Sequence, residues 1–260
     1  MSHLLEFQHV SYSYHALEGE TLALSDIDFS LENEEFLAVV GPSGCGKSTL
    51  LNLICNLIQP EQGQILFQGE ALGRQSASGI GYMLQKDHLF EWRTIERNIH
   101  LGLEIQNKLN QESKSYAERL LKKYGLYEFR HKKPSQLSGG MRQRAAFLRT
   151  YLMGNDVALL DEPFSALDAI TRTDLRAWYC QMASELDMAS VVITHDVDEA
   201  VTMANRIYVL EGNPRGGVPS VIAGEVEVPR EQALAAADVD DFALTPEYVD
   251  CKRRVLELLG

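Results

Sequence analysis

The run "FLAVVGPSGCGKSTLLNLICNLI", residues 36–58, constrains the fold more than any other part of the chain. Five apolar residues lead into a loop that fits G-x-x-x-x-G-K-[ST], and an apolar helical stretch follows it. A loop of this kind works only as a strand-to-helix turn, so the chain is expected to be α/β with a mostly parallel sheet. Its candidate phosphate-binding residues are Gly41, Pro42, Ser43, Gly44, Cys45, Gly46, Lys47, Ser48 and Thr49. The glycines let backbone N–H groups turn inward on phosphate oxygens. Lys47 reaches the β and γ phosphates, and the Ser48 hydroxyl suits Mg2+.

Three further apolar runs read as strands buried on both faces: "GIGYML" at 79–84, "VALL" at 157–160 and "SVVIT" at 190–194. Each ends in a polar residue able to do chemistry: Gln85, then Asp161 with Glu162, then His195. Ligands of open α/β sheets bind outside the carboxyl ends of the parallel strands, so these exits belong to one site shared with the loop. Asp161 is the candidate to hold the Mg2+ shell, and Glu162 to orient and deprotonate an attacking water. Gln85 is an amide able to bridge Mg2+ or the water to the segment after it. A lone histidine is commonly structural, but at a fourth strand end His195 is expected to touch the γ-phosphate.

Around this centre the expected order is a β portion and loop core over 1–86, a helical insertion over 87–153, the core again over 154–210, and a hairpin with a final helix over 211–260. "LLEFQHVSYSY" and "LALSDIDFSLE" alternate apolar and polar residues, which predicts antiparallel strands. In the insertion, Tyr116, Leu120 and Leu121 share one helical stripe. The last helix is expected to start at Thr245 as N-cap with Pro246 behind it, one side formed by Tyr248, Val255 and Leu259.

Composition excludes several classes. With 24 Lys+Arg against 37 Asp+Glu the formal charge is −13, which argues against a nucleic-acid surface. Cys45, Cys55, Cys180 and Cys251 lie far apart without CxxC spacing, so neither a disulfide framework nor a zinc site is expected, and a reducing interior fits. No apolar run approaches the roughly 18 residues of a membrane helix, and the N-terminus lacks a signal pattern, so any membrane role is expected through a partner.

One stretch stands apart. In "QLSGGMRQRAAF", residues 136–147, Ser138, Gly139 and Gly140 open a helix whose inward stripe is Met141, Ala145, Leu148 and Leu152. A helix start with exposed N–H groups is itself a phosphate site. Phosphoryl transfer needs donors around every side of the γ-phosphate, and the Lys47 loop covers one side only. The outward glycine end implies that its phosphate belongs to a second subunit.

Taken together these motifs resemble the ATP-binding subunit of an ABC transporter. "GPSGCGKST" is similar to Walker A, "YMLQ" to the Q-loop, "LSGGM" to the signature, "VALLDE" to Walker B, "SALD" at 165–168 to the D-loop and "THD" at 194–196 to the H-loop, in the family's order and over nearly the whole chain. The resemblance implies an ATPase using ATP and Mg2+ and a head-to-tail homodimer with nucleotide between Walker A of one copy and the signature of the other. It also adds Asp168 to the nucleotide-binding residues. It further implies an aromatic stacked on adenine from "VSYSY", Tyr14 with Tyr12 as the alternative. Met141 departs from the usual glutamine of the signature and lacks its amide donors.

Finer resemblance, in "FEWRTIERNIHLGLE", "DEPFSALDAITR" and the C-terminal "TPEYVDCKRRVLELLG", is to nitrate, sulfonate, taurine and thiamine-precursor importers. It implies peripheral attachment to the cytoplasmic side of the inner membrane through integral membrane permease subunits, with a solute-binding protein acting indirectly. Trp92 and Arg93 are the natural permease contacts, against the alternative that Trp92 packs inside the insertion. A non-transport ABC ATPase is the other reading kept open, though the chain carries no long coiled coil or fused second cassette. A small-molecule kinase would leave "LSGG" and "SALD" without a role.

Overall fold

In the computed structural model, which describes residues 3–17, 19–73, 76–229 and 242–260, one ten-stranded sheet runs through the molecule in the order β5-β4-β1-β2-β10-β9-β3-β8-β7-β6. The expected N-terminal strands are β1 (Leu5–Ala16) and β2 (Gly19–Leu31), antiparallel from Leu5↔Leu31 to Ala16↔Gly19. This antiparallel part is larger than expected, because β4 (Gln62–Phe67) and β5 (Glu70–Ala71) extend it beyond β1. It continues into the rest of the sheet through a single bridge, Ser220↔Leu24, between β10 (Val218–Glu227) and β2.

The parallel part contains β3 (Phe36–Val40), β6 (Ile80–Met83), β7 (Val157–Asp161), β8 (Ala189–Thr194) and β9 (Arg206–Asn213). β3, β7 and β8 are buried on both faces because each face feeds a different core. Phe36, Ala38 and Val40 of β3 join the core under the helical insertion, while Leu37 and Val39 join the one shared with the antiparallel strands. Each buried Phe, Val or Leu among them contributes roughly 1.5–3 kcal/mol. β6 departs from expectation: it is the sheet's edge, so Ile80 and Tyr82 are only half-buried.

Helix α1 (Lys47–Ile54) leaves the phosphate loop and packs into the second core. The insertion supplies α2 (Ile95–Ile99), α3 (Leu101–Ile105), α4 (Gln111–Lys123) and α5 (Gly139–Tyr151). Leu120 and Leu121 of the expected α4 stripe are buried and Tyr116 is half-buried, its hydroxyl 2.8 Å from that of Tyr151. Ala145, Leu148 and Leu152 face inward from α5 as expected.

α6 (Ala169–Glu185), α7 (Val197–Met203) and α8 (Pro246–Leu259) complete the helices used below. Thr245 caps α8, accepting from the Tyr248 N–H at 3.2 Å, and Lys252 ties the helix to Asp198 of α7 at 2.5 Å. The hairpin stands earlier than expected. "EGNPRGGVPS" is not a stretch before it but its turn, joining β9 to the antiparallel β10. Gly212 (φ 150°) and Gly217 (φ 83°) adopt conformations that other residues resist, which fixes the reversal there. Residues 230–241, where the expected C-terminal segment continues, lie outside the described residues.

Candidate functional site

The carboxyl ends of β3 and β7 open on a cavity of about 460 Å³. It is lined by Ser43, Gly44, Gly46, Lys47, Ser48 and Thr49 of the loop, by Asp161 and Glu162, and by Tyr14, Thr21, Ala23, Pro214 and Arg215. A larger cavity of about 560 Å³ holds Tyr116, Tyr151, Asn155 and Asp187 but none of the strand-end residues. The phosphate loop and the Asp161–Glu162 pair line the smaller cavity, which is therefore the candidate site.

Glycine is required in the loop by both space and conformation. A side chain at Gly41 would meet the Leu210 carbonyl oxygen at 2.5 Å and Cys45 Sγ at 2.6 Å. Gly44 and Gly46 have φ of 87° and 90°. Lys47 is buried, its ammonium donating to the Gly41 and Pro42 carbonyls at 2.6 and 2.8 Å. The charge is thus held over the loop. Tyr14, not Tyr12, lines the cavity: its hydroxyl lies 3.1 Å from Thr49 Oγ1 and its ring is 43% exposed. Tyr12 packs against the core edge-on to Tyr14, with ring centroids 5.0 Å apart.

At the other end of the cavity Glu162 gathers the strand-end residues. His195 Nδ1 lies 2.9 Å from its Oε1, and Gln85 Nε2 is 3.4 Å from its Oε2 and 3.1 Å from Ser165 Oγ. Glu162 takes a left-handed backbone (φ 43°), held by its N–H donating to the Ile193 carbonyl at 2.8 Å and by Ser165 Oγ donating to its carbonyl at 2.9 Å. Gln85, expected to bridge Mg2+ or the water, here donates through Nε2 to Glu162 and Ser165, which leaves its amide oxygen outside both contacts. Asp161 accepts from the Tyr82 hydroxyl at 3.2 Å. Burial, with the neighbouring Glu162 charge, pushes the Asp161 carboxyl above its usual range, while Tyr82 and Lys47 pull it down. A hard cation would offset that penalty, and the donors beside it, Ser48 hydroxyl and carboxylate, are all oxygen, so the residues fit Mg2+.

The second candidate phosphate-binding element, the Ser138 helix start, stands outside this cavity. Ser138 is exposed at the start of α5, its Oγ accepting from the Met141 N–H at 3.3 Å. The N–H groups of Gly139 and Gly140 have no partner within the helix. A side chain at Gly140 would come within 2.9 Å of Thr171 Cγ2, and one at Gly139 within 3.3 Å of Leu167. Asp168 caps α6, accepting from the Thr171 N–H at 3.0 Å, a bond that holds its carboxyl low. It therefore stands beside the signature helix, not in the phosphate-loop cavity.

Side chains nevertheless link the two elements. Gln143 Nε2 donates to the Pro163 carbonyl at 2.7 Å, and Arg142 Nε reaches Asp87 Oδ2 at 3.1 Å. Arg149 donates to the carbonyls of Asp87 and His88, both at 2.8 Å. The signature helix is thus bound to the segments after Gln85 and after Glu162. On that first segment Trp92 is 73% exposed and stacked on Phe90 at 4.7 Å, so it does not pack inside the insertion, while Arg93 is paired with Glu104 at 2.7 Å.

Thr21 and Arg215 line the cavity although no sequence motif contains them, and Tyr82, inside the Q-loop motif, bonds Asp161 in a way the motif does not reveal. Ser165 lies inside the D-loop motif, but its bond to Gln85 joins residues 80 apart in the chain. Among the described residues no helix is long and apolar enough to cross a membrane.

Known proteins resemble this chain over most of its length. An uncharacterized ABC transporter ATP-binding protein of Bacillus subtilis is 43% identical over 210 residues, 81% of this chain and 80% of that protein. A taurine import ATP-binding protein of Pelagibacter ubique is 34% identical over 260 residues, all of this chain and 96% of the relative. The solved dimeric structure of a bacterial ABC transporter cassette is 27% identical and superposes with a TM-score of 0.70, covering 86% of this chain and 98% of that one. With the ABC transporter sequence profile also matching residues 24–165, the chain belongs to the ABC transporter family, among its ATP-binding subunits.

Proposed function

We propose that this chain is the ATP-hydrolysing subunit of an importer, working as a head-to-tail pair at the cytoplasmic face of the membrane on permease subunits that it does not itself contain. One observation carries the reading: the Lys47 loop and the Ser138 helix start lie apart within a single chain, each offering half of what a γ-phosphate needs. A second copy in inverted orientation closes both sites at once.

ATP entering the cavity places adenine at Tyr14 and its phosphates along the loop, where Lys47 exchanges the Gly41 and Pro42 carbonyls for phosphate oxygens. Ser48 and Asp161 would hold Mg2+, which would neutralise phosphate charge. Glu162 takes a proton from water as the water oxygen attacks the γ-phosphorus, and the bond to the β-bridging oxygen breaks to release ADP and phosphate. His195 and Gln85, both bonded to Glu162, fix where that base points.

The taurine relative and the post-Gln85 segment support a small solute such as taurine, nitrate, a sulfonate or a thiamine precursor. Exposed Trp92, on a segment tied to the signature helix, is the surface offered to the permease. Co-expression with the permease genes tests the reading: a tagged wild-type chain should retain the membrane protein, and Trp92→Glu should lose it while keeping ATP binding. A wild-type chain that retains no membrane partner would defeat the importer assignment.

A further inference from the structure

We infer that Arg215, in the turn between β9 and β10, is a nucleotide-binding residue whose guanidinium stacks on the adenine ring across from Tyr14. This deepens the nucleotide-site reading and rests on it. Arg215 lines the same cavity as Tyr14, Thr21 and the phosphate loop. It belongs to none of the family's motifs in this chain.

Sheet order places it at one end of that cavity. The turn rises between β2 and β3, beside the strand that bears Thr21 and Ala23, whereas Asp161 and Glu162 leave β7, beyond β3 and β8. Arg215 is therefore at the base end with Tyr14 and away from the hydrolytic carboxylates.

The turn is built to hold its position. Asn213 Oδ1 accepts from the Gly216 N–H at 3.1 Å, the Gly217 N–H donates to the Pro214 carbonyl at 3.1 Å, and Pro214 is buried. Behind it the hairpin abuts the phosphate loop: a side chain at Gly46 would meet Leu24 at 3.0 Å and Ser220 Oγ at 3.5 Å. The guanidinium itself is uncommitted. Among the described residues Arg215 makes no ion pair or side-chain hydrogen bond, unlike Arg93, Arg142, Arg172 and Arg206. A planar cation with no protein partner beside a site for a flat, electron-rich base suits stacking on that base.

The test is equilibrium binding of ATP, ADP and inorganic tripolyphosphate to the full-length chain and to Arg215→Ala, Arg215→Lys and Lys47→Ala, with thermal melts to confirm folding. Arg215→Ala should weaken ATP and ADP alike, about three- to tenfold, and leave tripolyphosphate unchanged; Arg215→Lys should recover part of the loss. Unchanged ATP and ADP affinities would overturn the assignment, as would a loss that tripolyphosphate shares or that ADP escapes. If Lys47→Ala also binds ATP like the wild type, the nucleotide site itself is misassigned, and that failure is distinct from a failure confined to Arg215.

Discussion

Replacing Glu162 by Gln separates chemistry from binding. The amide keeps the shape and the contact to one neighbour, but it cannot accept from both Gln85 and His195 as the carboxylate does, nor take a proton from water. The lost contact involves a carboxylate that is 22% exposed, so the folded state loses on the order of 1 kcal/mol. Domains are stable by about 5–15 kcal/mol, and the variant remains folded. Loss of a positioned base costs about 10²- to 10⁴-fold in rate, which is roughly 3–5 kcal/mol on the barrier.

Nothing in the phosphate loop changes, so ATP binding should match the wild type. With hydrolysis stalled, the ATP-bound pair should accumulate and elute from gel filtration as a dimer. Phosphate release under single-turnover conditions gives the rate. A Glu162→Gln chain that releases phosphate within about threefold of wild type would refute the base assignment, because so small a change lies well below the range for general-base loss.

Asp161→Asn should raise the melting temperature of the nucleotide-free chain at neutral pH while abolishing Mg2+-dependent hydrolysis. A carboxyl whose folded pKa is raised favours the folded state when protonated; that stability is complete below the unfolded pKa and is lost as pH rises through the folded one. The melting advantage of the variant should therefore shrink as pH falls toward the carboxylate range, and an advantage constant with pH would contradict the burial argument. Lys47→Ala should weaken ATP by about tenfold or more, since it removes a charge-assisted contact; isothermal titration measures it, and wild-type affinity would count against the role of the loop.

What local pattern could reveal was the set of strand ends. Apolar runs such as "FLAVV" and "VALL" announce strands buried on both faces, and the polar residue after each marks its exit. The phosphate loop and the Ser138 helix start were equally legible, because each is a short backbone device with its own residue requirements. Nonlocal pairing was not.

β9 joins the sheet beside β3, whose sequence lies far upstream, and the continuity of the ten strands depends on one bridge between Leu24 and Ser220. Neither leaves a trace in local periodicity. The position of Arg215 follows from those pairings, so "NPRGG" read only as a turn. Likewise Gln85 and His195 meet at Glu162 across separations of 77 and 33 residues, which their strand-end positions suggested as a region but not as a contact. Trp92 could be read as core or surface until the stacking on Phe90 placed it outside.

The central claim is that each hydrolytic site is shared between two copies, and mixing two dead chains tests it most directly. Lys47→Ala lacks a working phosphate loop but keeps the signature; Ser138→Arg keeps the loop but blocks its own helix start. Each alone should be inactive. In an equimolar mixture half the dimers pair unlike chains, and each of those has one intact site of two, so activity should return to about a quarter of wild type. A mixture as inactive as its components, or Ser138→Arg hydrolysing ATP at the full rate by itself, would contradict the shared site.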